Sequence, residues 1–438
     1  MKIAPPRPNA PASPLWHPFT QHATAGPMIE IARADGAWLY GSSGQRYLDA
    51  ISSWWVITHG HGHPAIAAAI ARQALTLEQV IFAGFTHPPA EVLARKLLAL
   101  APRAEGSDPL AFVFLSDSGS TAVEVGLKMA VGYWHNIGRP RHRIVAFEDG
   151  YHGDTFGAMS VGGRGVFTSP YQPMLFAVDF LPFPAPGREQ ATLDAFAALL
   201  AAHGNEVAAL IVEPLVLGAA GMLTYEPSLL AELAALARRH DVFLVADEVM
   251  TGFGRTGTTF ACEQTGIVPD VMCLSKGITG GFLPMGATLA TRRLYEAFWS
   301  EDRGRMFFHS SSYTGNPIAC AAAVANLEVW EREPVLARIE GIAAVHARRL
   351  PAFRDHPQVR DVRGRGSIAA IELAAPKCGY LSELSPRLYG FFVSRGLLLR
   401  PIGNVVYLLP PYCISNDELD GIYDGIEDAL AALRDRNL

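Results

Sequence analysis

Five short apolar runs, each giving way to polar or small residues, restrict the fold more than any other feature of this sequence. They cover residues 111–115, 143–147, 207–212, 242–246 and 271–274. Runs this short, bounded by charge and glycine, predict strands buried on both faces of a parallel sheet. In open sheets of that kind, ligands lie outside the carboxyl ends of the strands. The residues that follow each run are therefore the first candidates for function: the turn from Ser116 to Ser120, Tyr151, Glu213, Asp247 and Lys276.

Helical periodicity fills the intervals. It predicts helices over 64–83, 88–100, 227–239, 317–333, 335–350 and 416–434. Strands alternating with helices give an α/β chain with a mostly parallel sheet flanked by helices. A chain of 438 residues is long enough for two domains. The expected division is a tail over 1–14, an N-terminal segment of a small domain over 15–63, a large domain over 64–332, and a C-terminal small domain of α+β type over 333–438. Turn-separated apolar runs predict a small antiparallel sheet between Ile29 and Asp49 and a hairpin over 397–411.

Bulk properties remove several function classes. Half the residues are hydrophobic, and the net charge of −6 argues against nucleic acid or an anionic membrane surface as partner. The most apolar stretch, 207–223, is broken by Glu213, Pro214 and glycines, so no membrane span is expected. The proline-rich start lacks the apolar core of a signal peptide. Five cysteines without paired spacing suit a reducing cytoplasm.

Asp247 and Lys276 follow two of the runs, so both belong at the crevice. One reading is an ion pair that only holds the fold, though such a pair adds little net stability. The other is pyridoxal phosphate, whose aldehyde takes a lysine as a Schiff base and whose ring nitrogen needs an acidic partner. A nearby carboxylate keeps that nitrogen protonated by favouring the positive form.

The stretches DEVMTGFGRTG and PDVMCLSKGITGGFLPMGA resemble the core of the class III (ω-type) aminotransferases, within the fold type I pyridoxal-phosphate enzymes. The resemblance runs from about Leu15 to the last helix. It implies that Lys276 carries the cofactor, Asp247 partners its ring nitrogen and Tyr151 stacks on its ring. Gly119 and Ser120 would hold the phosphate at a helix start, where free N–H groups and the helix dipole favour an anion. Glu124, placed in the first helical turn, belongs to the same expected site. Ser310, Ser311 and Ser312 would form a loop crossing to a partner subunit, with Ser312 at that partner's phosphate. The functional unit implied is a homodimer with shared active sites.

The substrate side follows from the same resemblance. LWHPFTQ, SSWW and LRPIGNVVYLLPPY match a branch that takes a long aliphatic keto acid and usually uses S-adenosylmethionine as amino donor, in biotin synthesis. Phe19, Trp54, Trp55, Glu213, Ser310 and Arg400 are then the expected substrate contacts, beside Tyr151 and Lys276. Arginine suits a carboxylate because its fork binds two oxygens at once. Adjacent indoles cannot both face one core from an extended chain, so one of the pair is expected to line a cavity. Two positions depart from the pattern: Phe19 stands where many members have tyrosine, and Ser310–Tyr313 replaces a Gly-Pro-Thr-Phe loop. Related ω-amino-acid or diamine aminotransferases, other reactions on the same cofactor, and a cofactor-binding regulator are the rival functions.

Two further patterns compete. Gly252, Gly254 and Gly257 match a dinucleotide fingerprint, but no amphipathic helix follows them. His59, His61 and His63 alternate, yet no cysteine or carboxylate joins them and interleaved glycines favour a loop over a metal site.

Overall fold

The computed structural model describes residues 13–375 and 379–435. The expected tail lies almost wholly outside the described residues, as does Cys378. At the centre is a seven-stranded sheet. Its spatial order is Leu110–Ser116, Gly286–Thr291, Val271–Leu274, Phe243–Asp247, Val207–Val212, Arg143–Phe147 and Asp179–Leu181. All neighbours run parallel except Gly286–Thr291, which is antiparallel to both of its partners. Its reversal brings Gly286 opposite Ser116 and Ala287 opposite Leu274. The start of that strand thus lies at the same sheet edge as the carboxyl ends of the others.

The strands are buried along their whole length where they matter most: every residue of Val207–Val212, Phe243–Asp247 and Val271–Leu274 is buried. Helices cover both faces. Gly119–Asn136 packs through Val123, Leu127 and Trp134 against one face, and Pro227–Arg239 adds Leu229, Leu230 and Leu233 to the core on the other.

Smaller sheets flank this core. Ile31–Asp35, Trp38–Gly41 and Arg46–Asp49 form the expected antiparallel sheet, and Leu397–Leu398 joins it in parallel from the far end of the chain. Val359–Arg365, Ile368–Leu373 and Val405–Leu408 form another. The hairpin expected over 397–411 is therefore reduced to one antiparallel bridge, Ile402 to Val405, across a tight turn. Its two runs pair with different sheets, because Val405 and Val406 find a better partner in Ile371 and Glu372 than in the short run Leu397–Leu398. The helix expected over 64–83 also ends early, at Ala74. In its last turn the Gln73 side chain reaches forward and donates to the Leu77 carbonyl, and the chain leaves the helix.

Candidate active site

Five carboxyl ends of strands meet at one cavity of about 280 Å³. Asp247 closes its strand, Glu213 and Lys276 stand just past theirs, Gly119 and Ser120 open the helix after the edge strand, and Tyr151 follows Arg143–Phe147. Asp247 is buried and held from two sides: His152 Nδ1 donates to Oδ2 at 2.7 Å, and the Val249 amide donates to Oδ1 at 3.1 Å. Glu213 accepts from the Tyr151 amide (2.9 Å) and the Gly218 amide (3.1 Å). Burial pushes its carboxyl up to about 7, against the pull of His152. Burial also lowers the Lys276 amine, opposed by Asp247 and Glu213. Its Nζ lies 5.2 Å from the Trp55 ring.

The two indoles reach this cavity together because the chain carrying them is not extended. Ser52, Ser53 and Trp55 all have positive φ. Asp49, wholly buried, holds the kink by accepting from the Ile51 and Ser53 amides, the Ser53 hydroxyl and His61 Nε2. Trp55 is buried and donates to Tyr407 Oη, while Trp54 is 46% exposed at the mouth. Both line the cavity, so the expectation that one would do so is exceeded. Phe19, Phe167 and Tyr380 complete an aromatic rim with Trp54, with ring centroids 4.5–6.2 Å apart. Arg400 lies over the Trp54 ring and donates to the Phe19 carbonyl.

The family model for class III aminotransferases matches residues 20–430. The chain belongs to the class III aminotransferases. Among curated members, the adenosylmethionine-8-amino-7-oxononanoate aminotransferase of Synechococcus elongatus is 49% identical over 95% of this chain and 98% of its own. The enzyme of that name from Geobacter sulfurreducens is 39% identical, covering 95% of each chain. Two solved structures share the fold. One, of that same name from Methanocaldococcus jannaschii, superposes with TM-score 0.90 at 35% identity, covering 95% of this chain and 96% of its own. An amine transaminase from an uncultivated Pseudomonas species, in a PLP-bound form, gives 0.89 at 33%, covering 97% and 99%.

This class III aminotransferase presents the groups pyridoxal phosphate requires. The 18-residue helix Gly119–Asn136 starts at the cavity, and the Ser118 hydroxyl accepts from the Thr121 amide, leaving the first N–H groups free for an anion. No side chain fits at Gly119, where a Cβ would meet Val249 at 2.7 Å. No hydrogen bond holds Lys276 Nζ among the described residues. Amine, fixed carboxylate, aromatic ring and anion-binding helix start therefore line one cavity.

Of the expected site residues, Phe19, Trp54, Trp55, Gly119, Ser120, Tyr151, Glu213, Asp247, Lys276 and Arg400 line that cavity. Ser310, Ser311 and Ser312 do not; Ser310 and Ser312 are exposed, and the Ser312 carbonyl accepts from Gln79 Nε2. Glu124 is not in the first helical turn, since the helix begins at Gly119. Its carboxylate instead accepts from the Thr155 hydroxyl and the Gly157 and Ala158 amides, capping the helix Phe156–Val161. The glycine pattern at 252–257 serves packing: a Cβ on Gly254 would strike Ile339 at 2.4 Å and Trp330 at 2.7 Å. Arg255 within it is buried and donates to the carbonyls of Ile57, Trp55 and Pro410, which ties the indole loop down. Sequence reasoning assigned no site role to Arg255, Phe167, Tyr380, Tyr407 or His152. For His152 the available signal was its place beside Tyr151, just beyond a strand end.

Proposed function

We propose that this aminotransferase converts 8-amino-7-oxononanoate to 7,8-diaminononanoate with S-adenosylmethionine as amino donor, a step of biotin synthesis, using pyridoxal phosphate. The observation that carries the reading is a lysine and a fixed carboxylate at adjacent strand ends, in one cavity with an arginine and an aromatic rim. The relatives from Synechococcus, Geobacter and Methanocaldococcus are named for that substrate pair. When bound, the cofactor supplies an aldehyde for the amine and a ring that accepts the electron pair left at a substrate Cα.

The residues divide the remaining work. Gly119 and Ser120 would bind the phosphate through backbone N–H groups. Asp247 would hold a proton on the ring nitrogen, and His152 keeps that carboxylate oriented. The phenol ring of Tyr151 covers one face of the site and excludes water from it. Lys276, its amine made easier to deprotonate by burial, moves the proton from the substrate Cα. Arg400 grips the terminal carboxylate, with the aliphatic chain against Trp54, Trp55 and Phe19 and with Glu213 beside it. Ser310, Ser311 and Ser312 serve the partner's site in a homodimer. Around that segment Ile81, Phe85, Phe308 and Tyr313 are each 63–65% exposed, an apolar surface that a second copy would cover. Among the described residues no helix is long and apolar enough to cross a membrane. Among the described residues Cys262, Cys273, Cys320 and Cys413 are free thiols, which supports a cytoplasmic setting.

Supplying 8-amino-7-oxononanoate with S-adenosylmethionine, and separately with lysine, tests the reading. Diaminononanoate measured by mass spectrometry should accumulate with the first donor. Product from lysine alone overturns the donor assignment. Amination of simple ketones with no diaminononanoate supports the second reading, an amine transaminase, which the Pseudomonas neighbour favours.

A further inference from the structure

The segment that presents Lys276 is built under constraint. Lys276 has φ 44°, in the left-handed region that side chains other than glycine rarely adopt. The following turn, Lys276–Thr279, is a single 3-10 turn ending at Gly280 with φ 65°. Residues held this way persist only where their surroundings fix them. Gly277 packs so closely on Phe253 that a Cβ would lie 2.8 Å from it. The main fastening comes from the long helix Pro317–Arg332. Asn326 on that helix is wholly buried, and its Nδ2 donates to the carbonyls of Gly277 and Ile278, both at 3.0 Å.

The amide oxygen faces the other way, towards the buried His59 ring, without a hydrogen bond of good geometry. Leucine, of similar size, would fill the same space without the donors that the two carbonyls need. Turning the amide over would set its oxygen against two carbonyls, so the lysine turn itself dictates the orientation. Asn326 is not itself among the residues that line the cavity.

We propose that Asn326 is a positioning residue for transamination, its amide clamping the carbonyls of Gly277 and Ile278 so that Lys276 presents its amine in one direction. This rests on the reading of Lys276 as the amine that carries the cofactor. The helix bearing the clamp begins at Pro317, one short turn beyond Ser312, so the same element ties the lysine turn to the proposed subunit boundary.

The test compares wild type with Asn326→Leu, which fills the space without donors, and Asn326→Thr, which retains one hydroxyl donor. Misplacing a reacting group by about 1 Å can cost on the order of a hundredfold, so kcat should fall about ten- to hundredfold in Asn326→Leu, with both KM values within about threefold. Asn326→Thr should fall between. In cofactor-free protein, acetylation of Lys276, mapped by mass spectrometry, should show a pH midpoint raised in Asn326→Leu, because an unclamped amine reaches water more often. A purely structural role would lower thermal stability and leave kcat, KM and the acetylation midpoint of the folded fraction unchanged, and that result overturns the proposal. If Asn326→Leu does not fold, a wild-type kcat and midpoint in Asn326→Thr overturn it equally. Borohydride reduction of the wild-type holoenzyme separates the two ideas. A pyridoxyl tag away from Lys276 removes the underlying reading, whereas a tag on Lys276 with unaffected variants removes only the clamp.

Discussion

His152 Nδ1 donates to Asp247 Oδ2 at 2.7 Å, and both side chains are at least 95% buried. The imidazole fixes the direction of the carboxylate, and the Val249 amide fixes its other oxygen. A hydrogen bond to a charged group is worth about 1.5–3 kcal/mol. His152→Phe should therefore lower kcat roughly ten- to hundredfold while leaving cofactor bound. Asp247→Asn should also retain cofactor but lose far more turnover, since the proton on the ring nitrogen then has no anionic partner. Single-turnover kinetics of the donor half-reaction, read by absorbance, distinguish the two.

Lys276→Ala should abolish turnover. General acid–base assistance accounts for about 10²–10⁴-fold, and the variant loses the covalent attachment as well. Borohydride reduction followed by peptide mapping should tag the Lys276 peptide in wild type and no peptide in the variant. Steady-state transamination by the purified variant is the result that contradicts the assignment.

Glu213 gives the stability a pH dependence of definite sign. Burial raises its folded pKa from 4.5 to about 7, so between those values the folded state binds more protons than the unfolded one. The stabilisation from the neutral carboxyl is complete below pH 4.5 and is lost as the pH rises towards 7. A shift of this size is on the order of 3 kcal/mol. Glu213→Gln should flatten that part of the stability profile, measured by denaturant unfolding from pH 4.5 to 8. A slope identical to that of wild type counts against the buried titration.

The central sheet was legible because burial on both faces leaves a plain mark: Arg143–Phe147 and Val207–Val212 stand in the structure with the bounds their apolar runs define. The same holds for the helices Pro88–Leu100, Pro227–Arg239 and Asn416–Arg434, whose starts carry proline or a capping box. Partners across long sequence distances were not legible. Nothing local in Leu397–Leu398 says that it joins Arg46–Asp49, nor does Asn326 announce that it faces Gly277. The backbone reversal at Ser52 and Ser53 was hidden too, because serine carries no signal for positive φ; the cause is Asp49, which bonds both ends of the kink.

Arg255 secures the indole loop by donating to the Ile57 carbonyl just past the indoles and to the Pro410 carbonyl of a distant segment, each at 2.9 Å. Lysine would keep the charge but not the planar fork. Arg255→Lys should leave at least one of those carbonyls unpaired, a loss of about 1–3 kcal/mol. The expected outcome is a lower midpoint of thermal unfolding together with a raised KM for the keto acid, because Trp55 loses its support. An unchanged KM would mean that the loop is held well enough by Asp49 alone.

The surroundings of Arg400 decide which kinetic parameter it controls. Its guanidinium lies over Trp54 and donates to the Phe19 carbonyl, so the side chain is already aimed before any substrate arrives. Aiming it in advance lowers the ordering cost of binding a carboxylate. Arg400→Met keeps the apolar contact with the indole and removes the charge-assisted bonds, worth about 1.5–3 kcal/mol. KM for the keto acid should rise roughly ten- to hundredfold with kcat at saturation little changed, as expected for an interaction made equally in ground and transition states. An analogue with a methyl ester at the far end should bind wild type and variant alike. A fall in kcat with KM unmoved would place Arg400 in the chemical step instead.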